Sequence, residues 1–260
     1  MACVNVLLDK CQCVPGVRQS AILYTILSQQ RDLKASSEFS HHSCSCETMQ
    51  TVRLKTPQVT CQMVSDVLVK TVSFMKNLPS FHHLPRADQL LLLENCWTPL
   101  FLLGLAQERV SFDVIETPGH SMLKRILLNR QGLIKTGEEK RRQPTLAGVQ
   151  RVKMCLHKFW DLDLSPTGYA YLKGAILFNP DLPGLQAPDY IESLQWEAQR
   201  ALHKVLVPLP SRDNSRFASV LLTVSALKTI SPDLIIELFF RPVVGTADMN
   251  EVLLEMLYTQ

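Results

Sequence analysis

Residues 74–106, FMKNLPSFHHLPRADQLLLLENCWTPLFLLGLA, constrain the fold of this chain more than any other stretch. Proline cannot donate the next helical hydrogen bond, so a first helix is predicted to stop at Pro79. A second is predicted to begin near Asp88, where a carboxylate suits the positive first turn. The run from 90 to 106 is apolar and is interrupted by Glu94, Asn95, Thr98 and Pro99. A helix that is apolar nearly all round is buried at the centre of a domain rather than laid on its surface. Composition agrees. With 46% hydrophobic and 20% charged residues, the 260-residue chain can build a substantial core.

The rest of the sequence repeats the helical period. Residues 1–17 form a variable N-terminal tail ending in the turn signal Pro15-Gly16. One domain is expected over 18–260, with flexible loops at 31–57 and 129–144. Residues 19–30 have apolar positions 22, 23, 26 and 27, one face of a short helix. Helices are expected near 58–78, 86–109, 121–128, 145–161, 166–178, 188–207, 213–239 and 247–258, with a break at Val243-Val244-Gly245. Residues 110–115 alternate apolar and polar and suggest a short hairpin. The fold class read from this pattern is all-α, with at most that hairpin.

Several functions are disfavoured at once. A net charge of +3 and a pI of 8.4 are too weak to argue for nucleic acid. No uninterrupted apolar run reaches the ~18 residues of a membrane span. The N-terminus offers an apolar run only at 4–8, broken by Asn5, so no signal peptide is expected. Eight cysteines without a secretion signal fit a reducing compartment. Cys96 and Cys155 fall in apolar helical runs and read as packed thiols.

Phe74, Lys76, Phe81, Leu84, Asp88, Gln89, Leu92, Leu93 and Trp97 keep fixed offsets across two helices and their turn. This spacing resembles the signature of nuclear receptor ligand-binding domains. Residues 172–185 (LKGAILFNPDLPGL) are similar to a later helix-loop segment of that family. Residues 216–240 are similar to its long penultimate helix, used by many receptors to dimerise. Residues 252–257 (VLLEML) match its activation helix. The resemblance covers most of 58–260 in the family order. It implies an antiparallel three-layer helical sandwich. Receptors also carry a zinc module with repeated C-x-x-C pairs, whereas this sequence has Cys11-x-Cys13 and Cys44-x-Cys46. The departure points to the subfamily of orphan receptors that lack a DNA-binding domain.

The resemblance assigns roles to particular residues. Lys76 and Glu255 would form a charge clamp on an apolar coregulator groove. The lysine would bond the C-terminal carbonyls of a short partner helix, and the glutamate its N-terminal amides. Val252, Leu253, Met256 and Leu257 would be the apolar face of the activation helix. Two variants of the L-x-x-L-L box stand elsewhere, Leu23-x-x-Ile26-Leu27 and Leu123-x-x-Ile126-Leu127. Three apolar side chains at i, i+3 and i+4 suit insertion into another receptor's groove. The same stripe describes any core-facing helix, so both readings stand at this point.

Three other constellations carry less. His41, His42, Cys44 and Cys46, with help from Cys11 and Cys13, offer imidazole and thiolate, but C-x-C is not the usual zinc spacing, and no metal or cofactor is expected. Ser73-x-x-Lys76 and Lys135-Thr136-Gly137 mimic penicillin-binding motifs without the sheet those motifs need, so no enzyme is expected. The basic Lys140-Arg141-Arg142 run is a solvated loop or a weak import patch.

The expectation is therefore a transcriptional corepressor of the nuclear receptor type, in the nucleus and also the cytoplasm. Its partners would be other nuclear receptors and corepressor proteins, with a homo- or heterodimer open. No membrane and no direct sequence-specific DNA binding are expected. The alternative is a sensor with a small hydrophobic or lipid ligand enclosed between helices.

Overall fold

The computed structural model describes residues 51–117, 144–207, 215–245 and 247–259. All belong to the second of two compact units, Thr48–Gln260. In order they form β1 (Thr51–Leu54), α1 (Pro57–Lys76), α2 (Pro79–His82), α3 (Arg86–Gln107) and β2 (Val114–Thr117). There follow α4 (Leu146–Asp161), α5 (Pro166–Leu177), α6 (Pro188–Leu206) and α7 (Ser215–Lys228). The described chain ends with α8 (Pro232–Ile235), a π-helical turn (Ile236–Phe240), α9 (Arg241–Val244) and α10 (Met249–Tyr258).

α3 is the central helix that its composition predicts. Leu92, Leu93, Leu100, Phe101, Leu102, Leu103 and Leu105 are fully buried, on all its faces. It touches α1, α4, α5, α7 and α10. By length and hydropathy α3 is apolar enough to cross a membrane, yet 78% of its most apolar stretch is buried inside the protein. It crosses α1 closely at Gly104, where an added Cβ would sit 2.8 Å from Val67 Cγ1. Trp97 and Phe101 of α3 pack against Phe239 and Phe240 of the π turn, and Phe112 stands edge-on to Phe239. Each such ring contributes about 1.5–3 kcal/mol on burial.

Asp88 does more than start a helix. It is completely buried, and its two carboxylate oxygens accept from the N–H groups of Gln186 (2.8 Å) and Ala187 (2.9 Å). Ala187 is the N-cap of α6 and has no side-chain cap of its own. One carboxylate thus satisfies the donors at the entrance to α6 from the first turn of α3.

Three expectations are corrected. Residues 110–115 do not form a local hairpin. The strand lies at Val114–Thr117 and pairs antiparallel with Thr51–Leu54, inside the stretch expected to be loop at 31–57. Val52 and Leu54 are buried while Arg53 faces solvent, an alternation too short to stand out in the sequence. The single helix expected over 213–239 is two, meeting at 77°. Pro232 cannot donate to Lys228 O, and it holds Ser231 extended at φ −66° and ψ 134°. The expected helix at 121–128 and nearly all of the 129–144 loop fall outside the described residues.

Candidate coregulator groove

The groove is built where α1 ends, α3 begins and α10 lies across both. α1 runs to Lys76, and Pro79 then opens the short turn of α2, so the lysine stands in a last helical turn. Gln89 Nε2 donates to the carbonyl of Leu84 at 2.9 Å and ties that turn to α3. The ring of His82 makes a close contact with the carbonyl of Lys76.

α10 starts on Asp248, whose side chain accepts from Asn250 N–H at 2.9 Å. Helical spacing then puts Met249, Leu253 and Leu257 on one buried stripe. Leu253 is 0% exposed and Leu257 5%, while Val252 and Met256 are half-buried. Glu255 projects to solvent. The buried stripe rests on α1 and α3.

At its far end α10 meets Lys76. The ammonium donates to the carbonyl of Thr259, just past the helix, at 2.6 Å. The guanidinium of Arg86 stacks 4.3 Å from the ring centroid of Tyr258. The last carbonyls of a helix lack intrahelical donors and carry partial negative charge, so a cation there is stabilising. Lys76 therefore does for the chain's own last helix what the family resemblance implies it would do for a partner helix. Leu253-x-x-Met256-Leu257 has the spacing of such a partner, three apolar side chains at i, i+3 and i+4. Thr259 and Glu255 are one turn apart at the end of α10, joined by a 2.8 Å bond from Thr259 N–H to Glu255 O.

The boxes at Leu23, Ile26 and Leu27 and at Leu123, Ile126 and Leu127 lie outside the described residues, as do His41, His42, Cys44 and Cys46. Among the described residues no cluster of three His, Cys, Asp or Glu side chains could hold a metal. Cys61, Cys96 and Cys155 are buried free thiols. Burial pushes the Cys96 thiol up to about 12, slightly eased by Lys228, and that of Cys155 to about 11. Neither is a nucleophile near neutral pH. Arg86 and Thr259 were not singled out by the sequence. A basic residue opening α3 and an aromatic closing the chain were the available signals.

Comparison with known proteins gives the family. The profile of the ligand-binding domain of nuclear hormone receptors matches residues 45–243. The chain is 48% identical over 249 residues to nuclear receptor subfamily 0 group B member 2 of Rattus norvegicus, covering 95% of this chain and 96% of that protein. The Homo sapiens protein of the same name is 47% identical over the same extent. Nuclear receptor subfamily 0 group B member 1 of Homo sapiens is 37% identical over 262 residues, covering 94% of this chain and 56% of that longer protein. The ultraspiracle ligand-binding domain from Drosophila melanogaster superposes with a TM-score of 0.55 at 22% identity, covering 92% of this chain and 98% of that one, a likeness of fold.

Proposed function

The chain belongs to the nuclear hormone receptor ligand-binding-domain family, and from that premise we propose that it is a transcriptional corepressor that binds other nuclear receptors and brings repressor proteins to them. It is a nuclear regulator, present also in the cytoplasm, and its chemistry is binding rather than catalysis. The observation that carries this reading is the bond from Lys76 to Thr259. With α10 resting on α1 and α3, the surface that would receive a coactivator helix is occupied by the chain's own end. Such a domain is poorly arranged to recruit coactivators. It is better suited to offer helices than to receive them.

The segments it would offer are the boxes at Leu23, Ile26 and Leu27 and at Leu123, Ile126 and Leu127. Inserted into another receptor's groove, either would displace a coactivator there. On this reading, promoter contact would pass through the bound receptor. α7 leaves Leu221 and Leu222 exposed, at 42% and 72%, which supports a dimer surface on the penultimate helix. The aromatic packing of Trp97, Phe101, Phe239 and Phe240 fills the interior beside α3 and favours this reading over an enclosed-ligand sensor.

Competition tests the proposal. A labelled L-x-x-L-L coactivator peptide bound to a partner receptor domain is titrated with the purified chain and followed by anisotropy. Displacement with saturable binding is expected. Binding of the chain without loss of the peptide would overturn the groove-competition mechanism.

A further inference from the structure

The kink between α7 and α8 presents a serine. Ile230 and Ile235 are buried, at 5% and 0% exposure, and pin the chain on either side of the turn. Ser231, Pro232 and Asp233 between them are exposed. The two helical directions meet at 77°, so these three residues form an outer corner. Pro232 keeps Ser231 out of the helical region, and its backbone stands at φ −66° and ψ 134°, close to polyproline II. Its side chain makes no cap bond to α8, and no other described residue holds its hydroxyl.

Extended backbone, exposure and a free hydroxyl are what a kinase cleft needs, since phosphoryl transfer depends above all on positioning. Three other Ser-Pro or Thr-Pro pairs lie among the described residues, and each lacks one of these features. Thr98 is 3% exposed inside α3. Ser165 is engaged as the N-cap of α5, its hydroxyl accepting from Gly168 N–H at 3.1 Å. Thr56 turns toward α1 at ψ 74°, with its hydroxyl 3.5 Å from that of Thr60. The residue after the hydroxyl sets the class of enzyme. Pro232 has no N–H to offer and presents a compact apolar ring, which suits a cleft that asks for no donor there.

We propose that Ser231 is a phosphorylation site for a proline-directed serine/threonine kinase. Its Oγ attacks the γ-phosphorus of ATP, the new O–P bond forms as the bond to ADP breaks, and the hydroxyl proton passes to the kinase's catalytic aspartate. The product carries about −1.5 to −2 charges at pH 7. Lys228, exposed three residues earlier, attracts that charge, and Asp233, two residues later, repels it. The modification therefore lands at the junction that orients α7 against α8. The site uses none of Lys76, Glu255 or the two boxes, so it stands apart from the receptor-binding reading.

The full chain is incubated with ATP and a purified mitogen-activated protein kinase, and phosphopeptides are mapped by mass spectrometry over time. Phosphate at Ser231 is expected, about tenfold faster or more than at Ser165 or Thr56. Ser231→Ala is expected to lose this phosphopeptide and to melt like the wild type, because the side chain removed is exposed and unbonded. Pro232→Ala keeps the serine and is expected to slow its modification by about tenfold or more, since a pocket contact is lost. An unmodified Ser231 in the folded chain, with the kinase active on its usual substrate, would overturn the proposal. So would modification of Ser165 or Thr56 at the same rate. A Pro232→Ala chain modified as fast as the wild type would remove the proline from recognition and overturn it equally. Should Pro232→Ala fail to fold, the comparison with Ser165 decides alone.

Discussion

The ammonium of Lys76 and the backbone carbonyl of Thr259 are 2.6 Å apart, so the end of α1 holds the end of α10. The two residues are 183 positions apart in sequence, and their bond ties the chain's last helix to the end of α1.

Opening that groove has a measurable consequence. Removing residues 249–260 uncovers Lys76 and is expected to raise affinity for a labelled helical L-x-x-L-L peptide. Lys76→Glu in the shortened chain is expected to cancel the gain. In the full chain Lys76→Glu should speed amide exchange across α10. Its cost in stability should be about 1 kcal/mol, because the bond is charge-assisted but solvent-screened. A folded, shortened chain that captures no more peptide than the full one would argue against α10 as the occupant.

Asp88 gives a stability test with a named cause. Asp88→Ala takes the acceptor away from the part-buried N–H groups of Gln186 and Ala187 and should cost about 1–3 kcal/mol. Asp88→Asn keeps one acceptor oxygen and should cost less. Urea denaturation followed by circular dichroism reads both. Equal midpoints for wild type and Asp88→Ala would mean that α6 does not depend on this carboxylate.

Legibility differed sharply from one element to the next. The burial of α3 could be read from residues 90–106 because an all-round apolar helix has one physical outcome. Lys76 stands out in the sequence because the two-helix pattern around it is specific. Its partner could not be found from local sequence, since Thr259 has no periodicity or chemistry of its own to mark it. Asp88 read as a first-turn residue, which it is, but its long-range bonds to Gln186 and Ala187 depend on how α3 and α6 approach. The break at Pro232 was written in plain residues. The apolar pattern that continues on both sides of it masks the break. β1 escaped because four residues give too little alternation to compete with a polar neighbourhood.

The buried thiols set an alkaline limit. Cys96 and Cys155 ionise near about 12 and about 11 in the folded protein, against 9.0 when exposed. Folding thus favours the protonated thiol. The two sites give no penalty below pH 9, and stability should fall as pH rises from 9 toward 11 and 12. Iodoacetamide mapping by mass spectrometry at pH 8 should leave Cys96 and Cys155 unlabelled until urea is added. Prompt labelling of either in the folded protein would contradict its burial.

The proposed receptor-binding box near the N-terminus offers the most direct test of function. Leu23, Ile26 and Leu27 stand at i, i+3 and i+4, the spacing that fills an apolar groove. Truncating anchors of this kind commonly costs about 2 kcal/mol or more each, so Leu23→Ala with Leu27→Ala should weaken receptor binding at least tenfold. The same pair would be destabilising if it were core, by about 2–5 kcal/mol per residue. Thermal melts therefore separate the two roles, since a docking box leaves the melt in place while affinity falls. The matching change at Leu123 and Leu127 gives the share carried by the second box. A double variant at 23 and 27 that melts normally and still displaces the coactivator peptide at wild-type concentrations would remove this segment from the interface and shift the role to Leu123, Ile126 and Leu127.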